Sequence, residues 1–425
     1  MKKMFFIFLF VIIIPTIVFA EQKNITSITF INPLGIELKS KALKVKRLTI
    51  DYNYSKKGFP LLIYDGNYFP SQVNDIDGDG NWDELFLVIN FDRNQSKTFQ
   101  IRWVKKAPKF PIRTSIRFGK RDSENQPVKS STEETLFANQ VPKTLGFQKY
   151  QTDGPTWEND KIGFRHYLDG RNAKDIFGKK IADITPENVG INKDGAVEDN
   201  YHVMSEWGRD IFPVGNSVGL GGYALLIDNE IYRLGITSKD TLNNIEETTF
   251  KITLEGSENS VIDYKYKNWS VLGNKYQVKE TTSIWPGIYG FQNTIILDGL
   301  KGTEKLLIGL SNINNSKPLE VFEAGNFICF VLHDNLGYNR EWIMGTAIII
   351  PKKGYDGYIE APKNGSVTNS YLTKLKVENN ESITYYAIAA WELSIDRNFK
   401  EATYFKNYVK DLAIQLSTEI IIHTN

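Results

Sequence analysis

The sequence has a single cysteine, Cys329, and four histidines in 425 residues. One thiol in the apolar stretch "NFICFVLH" excludes an intramolecular disulfide, so packing or bound ions must hold the fold. An excess of either charge is also missing. Fifty-one Lys and Arg stand against 50 Asp and Glu, for a net charge of +1. The basic residues are scattered, which excludes the clustered footprint that nucleic-acid binding requires. Internal repeats and low-complexity segments are absent.

The long apolar run lies at the start, in "MKKMFFIFLFVIIIPTIVFA". Lys2 and Lys3 precede it, and Val18-Phe19-Ala20 ends it on a small residue, the pattern of a signal peptide over residues 1–20. The run falls short of a comfortable membrane span. A periplasmic or secreted protein without a membrane anchor after cleavage is expected, and no cysteine near the cut offers a lipid attachment point.

What remains is globular in composition, with 41% hydrophobic and 24% charged residues. Its length favours two domains. Short β-branched and aromatic segments such as "SITFI" (27–31), "LKVKRLTI" (43–50), "LFLVINF" (85–91), "YALLI" (223–227), "SVIDYKYKNWSVL" (260–272) and "YYAIAAWEL" (385–393) alternate with Asn, Gly and Asp turns. The spacing predicts a mainly β protein: a small N-terminal β domain over 21–120, a polar connection over 121–144, and a large antiparallel β-sandwich over 145–425. One helix is expected near the C-terminus. Phe405, Tyr408, Val409, Leu412 and Leu416 form its apolar stripe, behind a capping box of Asn398 and Glu401.

"DIDGDGNWDE" (75–84) has the spacing of a calcium loop. Asp75, Asp77 and Asp79 occupy positions 1, 3 and 5, Gly80 position 6, the Asn81 carbonyl position 7 and Asp83 position 9. Position 12 is Phe86 and a strand follows, so this is a loop closing a hairpin rather than an EF-hand. No histidine is near in sequence, and the expected Ca²⁺ is structural. No organic cofactor is expected. "GNSVG" (215–219) matches a nucleophile elbow, but a hairpin pattern follows it where the elbow needs a helix. The glycines of "VGLGG" lack a dinucleotide-binding setting and are read as allowing close backbone packing.

Two stretches carry proton-transfer chemistry. In "GFRHYLDGRN" (163–172) a strand would place Gly163, Arg165, Tyr167 and Asp169 on one face, and Phe164, His166 and Leu168 on the other. Arg165, His166 and Tyr167 are candidate catalytic residues, with a core role the alternative for His166. Arg171 follows, and Trp157 and Glu158, an aromatic platform beside an acid, precede; all three are candidate substrate-binding residues. In "DNYHVMSEWGRDIF" (199–212) a helical turn would pair His202 with Glu206 as base and orienting carboxylate. A partial metal site is the alternative there, although a second histidine at the right spacing is missing. Trp207, Arg209 and Asp210 stand beside them as binding candidates. "SIWPGIYGF" (283–291) adds Trp285 and Tyr289, a turn suited to stacking on a sugar face.

Taken together, "GPTWENDKIGFRHYLDGRNAKDIFGK", "YHVMSEWGRD", "NSVGLGG", "SIWPGIYGFQNT" and "YYAIAAWEL" resemble the successive blocks of an exported bacterial domain family of unknown function. That family is found among polysaccharide-utilisation proteins. The resemblance runs from about Ile28 to the C-terminal helix, and a similar member is understood to be an oligosaccharide dehydratase in ulvan breakdown. It implies a carbon–oxygen lyase that removes water from unsaturated uronic acid ends, with an acidic oligosaccharide as substrate. Two alternatives stand beside it. One is a glycoside hydrolase or polysaccharide lyase on uronate-rich chains, using Glu158, Glu206 and Asp210. The other is a non-catalytic carbohydrate-binding protein.

Overall fold

The structure, a computed structural model, describes residues 25–54, 57–140, 148–237, 240 and 242–425. The expected signal peptide lies outside the described residues.

A nine-stranded antiparallel sheet forms the centre. Its strands run in the order Glu133–Phe137, Ile245–Leu254, Ser260–Val271, Asn274–Ile284, Gly290–Asp298, Ser382–Trp391, Met344–Pro351, Phe327–Asp334 and Glu320–Ala324. Alternation decides which face each side chain takes. In Ser260–Val271, Ile262, Tyr264 and Tyr266 are buried while Lys265 and Lys267 are exposed. Two five-stranded sheets share its main core cluster. One runs Gly208–Asp210, Lys174–Lys179, Gly163–His166, Thr156–Asn159 and Thr114–Arg117. The other runs Glu230–Arg233, Leu220–Ile227, Lys305–Ser311, Ser370–Lys376 and Tyr355–Glu360. A bridge from Lys174 to Gly219 joins them. Gly219 has φ +70, and a Cβ there would lie 1.8 Å from the Lys174 carbonyl oxygen, so only glycine fits.

Alternate residues of the central strands, among them Cys329, Val331, Ala347, Ile349 and Ile388, belong to a second core with the helix Ala402–Ser417. Phe405, Val409 and Leu412 of the expected stripe are buried in it. Gly345 lets the helix approach, since a Cβ there would meet the Phe405 ring at 2.4 Å. The helix starts differently from expectation. Glu401 stands at its N-cap without a side-chain hydrogen bond, and Asn398 sits in a preceding turn capped by Asp396.

The N-terminal region packs a five-stranded sheet on a three-stranded one around a third core of residues such as Phe30, Leu62, Leu87 and Phe99. Its five-stranded sheet is completed by Ile421–Thr424, which pairs with Ser27–Ile31, so a strand rather than the helix ends the chain. The stretch expected as strand over 43–50 turns into a short helix, Arg47–Ile50, held by the Arg47–Asp51 ion pair at 3.0 Å. The expected connection contains two paired strands, Lys129–Ser130 and Glu133–Phe137, the latter seating Leu136 in the main core. Residues 141–144 of it lie outside the described residues.

Candidate functional site

The five-stranded sheet carrying Gly163–His166 has one face in the main core and the other covered by the segment 180–207. Alternation turns Phe164, His166, Lys174 and Ile176 inward, and Arg165, Asp175 and Phe177 outward. The outward side holds a charged cluster. Arg165 is 1% exposed and donates to Asp210 Oδ2 at 2.7 Å, to the Tyr167 hydroxyl at 2.5 Å and to Asp175 Oδ2. Tyr167 donates in turn to Asp175 Oδ2 at 2.9 Å. Tyr201 donates to Asp199 Oδ1 at 2.8 Å and to Asp153 Oδ2 at 3.2 Å, and Asp153 lies 3.4 Å from Arg165. The Arg165 guanidinium also lies over the rings of Tyr167, Phe177 and Tyr201.

His202 stands at the open side, with 44% of its side chain exposed, and its Nδ1 lies 3.6 Å from Asp210 Oδ2. Partial burial and the nearby Arg165 lower its pKa below the usual histidine value; Asp199 and Asp175 oppose them and Arg209 adds to them. Burial and the adjacent Asp175 push the Asp210 carboxyl up, against the pull of Arg165. Tyr338 packs its ring 6.1 Å from that of His202, and burial with Asp175 and Asp210 near it holds its hydroxyl protonated. Arg209 donates through Nε to the Asp210 carbonyl at 2.9 Å, and its guanidinium lies 4.7 Å over the Trp342 ring. Among the described residues no acceptor takes its terminal nitrogens.

Several expected binding residues stand elsewhere. Arg165, a candidate catalytic residue, is buried and turns its Nη2 to Asp175, Asp210 and the Tyr167 hydroxyl, which closes it off from a substrate carboxylate. The Arg171 guanidinium is also engaged, donating through Nε to Asp169 Oδ2 at 2.7 Å and through Nη1 to the Gly215 carbonyl at 2.9 Å, while Asp169 Oδ1 accepts from the Arg171 backbone amide at 3.0 Å. His166 is fully buried, stacked on Tyr264, with Nε2 3.1 Å from Asn172 Oδ1; burial and Lys174 lower its pKa to about 4. That is the core role of its two sequence readings. Residues around Glu206 bend rather than form a helix, so His202 faces Asp210 while Glu206 is exposed. Glu158 is held by Lys179 Nζ and Thr185 Oγ1, each at 2.5 Å. Trp157, Trp207, Trp285 and Tyr289 are buried against other rings and present no free face to a sugar. The sequence reading missed Asp175, Tyr338 and Trp342, which only the folded topology brings to this place.

The acidic loop gathers Asp75, Asp77 and Asp83, whose carboxylate oxygens lie within 4.8 Å of one another. Asp79 turns away, accepting from the Asn81 amide at 2.7 Å and the Asn81 side chain at 3.2 Å. Hard oxygen donors so close together suit a divalent cation. "GNSVG" forms a buried turn in which Ser217 donates to the Val214 carbonyl at 2.7 Å, with no nucleophile presented.

Comparison with known proteins supports the architecture. The chain is 26% identical over 291 residues to the "Uncharacterized protein P7" of Formosa agariphila, covering 64% of this chain and 68% of that protein. A crystal structure of a protein in the Glycosyl Hydrolase Family 38 from Enterococcus faecalis superposes with a TM-score of 0.53 at 8% identity, over 95% of this chain and 48% of that one. An alpha-mannosidase from Enterococcus faecalis V583 gives 0.50 at 8% identity, over 95% and 46%. This chain thus spans about half the length of those enzymes, and the likeness is one of fold. The sequence pattern of the family described as Domain of unknown function (DUF4861) matches residues 31–422, nearly the whole described chain, and the protein belongs to that family.

Proposed function

We propose that the protein is an exported carbohydrate-active enzyme, a dehydratase that removes water from an acidic sugar at the His202 cleft. The observation that carries this reading is the arrangement at the cleft mouth. A half-exposed histidine with a lowered pKa stands beside a buried carboxylate, a protonated tyrosine and an arginine whose terminal nitrogens are unclaimed.

In this reading Arg209 takes the uronate carboxylate, and Trp342 keeps its guanidinium flat. Neutralising that carboxylate stabilises the charge that develops when the adjacent carbon loses its proton. His202, its Nδ1 side turned to Asp210, offers Nε2 as the base. The carbon–hydrogen electrons form the double bond, the carbon–oxygen bond breaks, and the departing hydroxide takes a proton from Tyr338 to leave as water. Arg165 fixes Asp210 and Asp175 beneath the cleft and is a positioning residue. A structural Ca²⁺ on Asp75, Asp77 and Asp83 belongs to the same proposal and has no part in the reaction.

The test is mass spectrometry of lyase-generated uronate oligosaccharides incubated with the protein. Loss of one water with the chain length intact is expected, and His202→Gln should slow it on the order of 10²–10⁴-fold in folded protein. Shortened oligosaccharides would mean a hydrolase or lyase instead. Retarded migration on a polysaccharide affinity gel with no product at all would mean a binding protein.

A further inference from the structure

The inner face of the same sheet holds a second polar cluster that the cleft does not use. Alternation sends Asp175 outward and its neighbour Lys174 inward, where Lys174 is fully buried. Its Nζ lies 2.7 Å from Glu280 Oε1, on the facing nine-stranded sheet. The same carboxylate oxygen accepts from Asn293 Nδ2 at 2.9 Å. Glu280 and Asn293 sit on neighbouring strands and are themselves buried. The Asn293 carbonyl oxygen accepts from the Thr282 hydroxyl at 2.7 Å, and its Nδ2 donates also to the Tyr385 hydroxyl at 2.7 Å. Tyr223 and Tyr266 donate to the second Glu280 oxygen at 2.9 and 3.2 Å.

An amine, a carboxyl group and a primary amide thus meet on one oxygen in a site closed to water. Those are the parts needed for an amide exchange, and the surroundings supply the rest. We propose that Lys174 and Asn293 condense into an intramolecular isopeptide bond, with Glu280 moving the protons.

The ion pair is the reactant state, since the Lys174 ammonium holds Glu280 ionised against the penalty of burial. Proton transfer along the Lys174–Glu280 contact gives the neutral amine, the nucleophilic form, and a neutral acid. The Nζ lone pair adds to the Asn293 Cγ, and the Thr282 hydroxyl steadies the charge gathering on the carbonyl oxygen. The proton that Nζ sheds returns through Glu280 to Nδ2, the Cγ–Nδ2 bond breaks, and ammonia leaves. One carbon–nitrogen bond forms and one breaks, with no oxidant or other reactant. The product ties the strand Lys174–Lys179 to the strand Gly290–Asp298 across the core, in a chain whose single cysteine cannot make a disulfide.

The experiment is intact-mass measurement of the purified, denatured full chain, followed by tandem mass spectrometry of a proteolytic digest. The expected result is a deficit of about 17 Da from the sequence mass and a branched peptide joining Lys174 to Asn293. Glu280→Gln and Asn293→Ala should restore the full mass. Because denatured wild-type protein gives the reading, the result does not depend on either variant folding. Full mass with linear peptides carrying Lys174 and Asn293, or a deficit that maps elsewhere, overturns the proposal. Neither outcome depends on the reaction at the His202 cleft.

Discussion

Arg165 shows how one buried charge organises its neighbourhood. Its guanidinium faces Asp175, Asp210 and Asp153, and the first two carboxylates are fully buried. Truncation would leave those carboxylates without a counter-charge in a low-dielectric pocket. Arg165→Ala should therefore cost about 3–5 kcal/mol of stability, read as a lower unfolding midpoint in denaturant, rather than a selective rise in KM. A variant of wild-type stability that had lost only substrate affinity would return Arg165 to direct binding. His202 answers to a different measurement. The base must be neutral, and burial with Arg165 lowers its pKa, so kcat/KM should stay level as pH falls past the ordinary histidine value and drop only at a more acid midpoint. His202→Gln should lose on the order of 10²–10⁴-fold in kcat with an unchanged unfolding midpoint. An acid limb above the ordinary histidine value would remove His202 as the base. The two-residue period was enough to read Arg165 and Tyr167 onto one face of a strand, and His166 onto the other. Nothing local announces Asp175 or Tyr338 as their neighbours, because strand pairing and a distant loop bring them there. Nor does an aromatic side chain declare its burial, which is why Trp157, Trp285 and Tyr289 looked like sugar platforms in the sequence.

Among the elements, the Asp-rich loop joins two strands of the N-terminal core and is tied to it by its own backbone. The Asp83 amide donates to the Asn74 carbonyl at 2.8 Å, and the Asp83 carbonyl accepts from the Arg47 amide at 2.7 Å. An ion on Asp75, Asp77 and Asp83 would lock this junction and relieve the repulsion of three close carboxylates. Chelator should then lower the melting temperature, and added Ca²⁺ should raise it with concentration by mass action. Asp75→Asn should flatten that response. A melting temperature indifferent to both chelator and Ca²⁺ would leave the loop as an ion-free turn. The convergence of Asp75, Asp77 and Asp83 was legible because their spacing is a local code, whereas the turn of Asp79 toward Asn81 was not. The helix stripe was legible for the same reason, since a 3.6-residue period survives any tertiary context. Its start was not, because Asp396 rather than Asn398 caps the preceding turn.

At the scale of the whole molecule, the sequence suggests two bodies, and two features bind the N-terminal sheets to the rest. The strand Glu84–Phe91 buries both faces. Leu85, Leu87 and Ile89 belong to the N-terminal core, whereas Phe86 lies in the core that holds the C-terminal helix. A strand hydrophobic on both faces has no pattern that says which partner covers which side. The second feature is Ile421–Thr424, which carries the end of the chain back to pair with Ser27–Ile31. Such closure between chain ends leaves no local signature. Because these two elements serve both halves, neither half can open without exposing apolar surface of the other. We therefore expect one cooperative thermal transition, with calorimetric and van't Hoff enthalpies in agreement. Phe86→Ala would remove a fully buried ring at the shared strand, at a cost of about 3–5 kcal/mol. In urea it should shift the hydrogen-exchange protection of amides in the N-terminal core and the far-ultraviolet transition of the whole chain by the same amount. If the two probes separate in the variant or in the wild type, the N-terminal sheets are an independent folding unit, and the shared strand does not couple them.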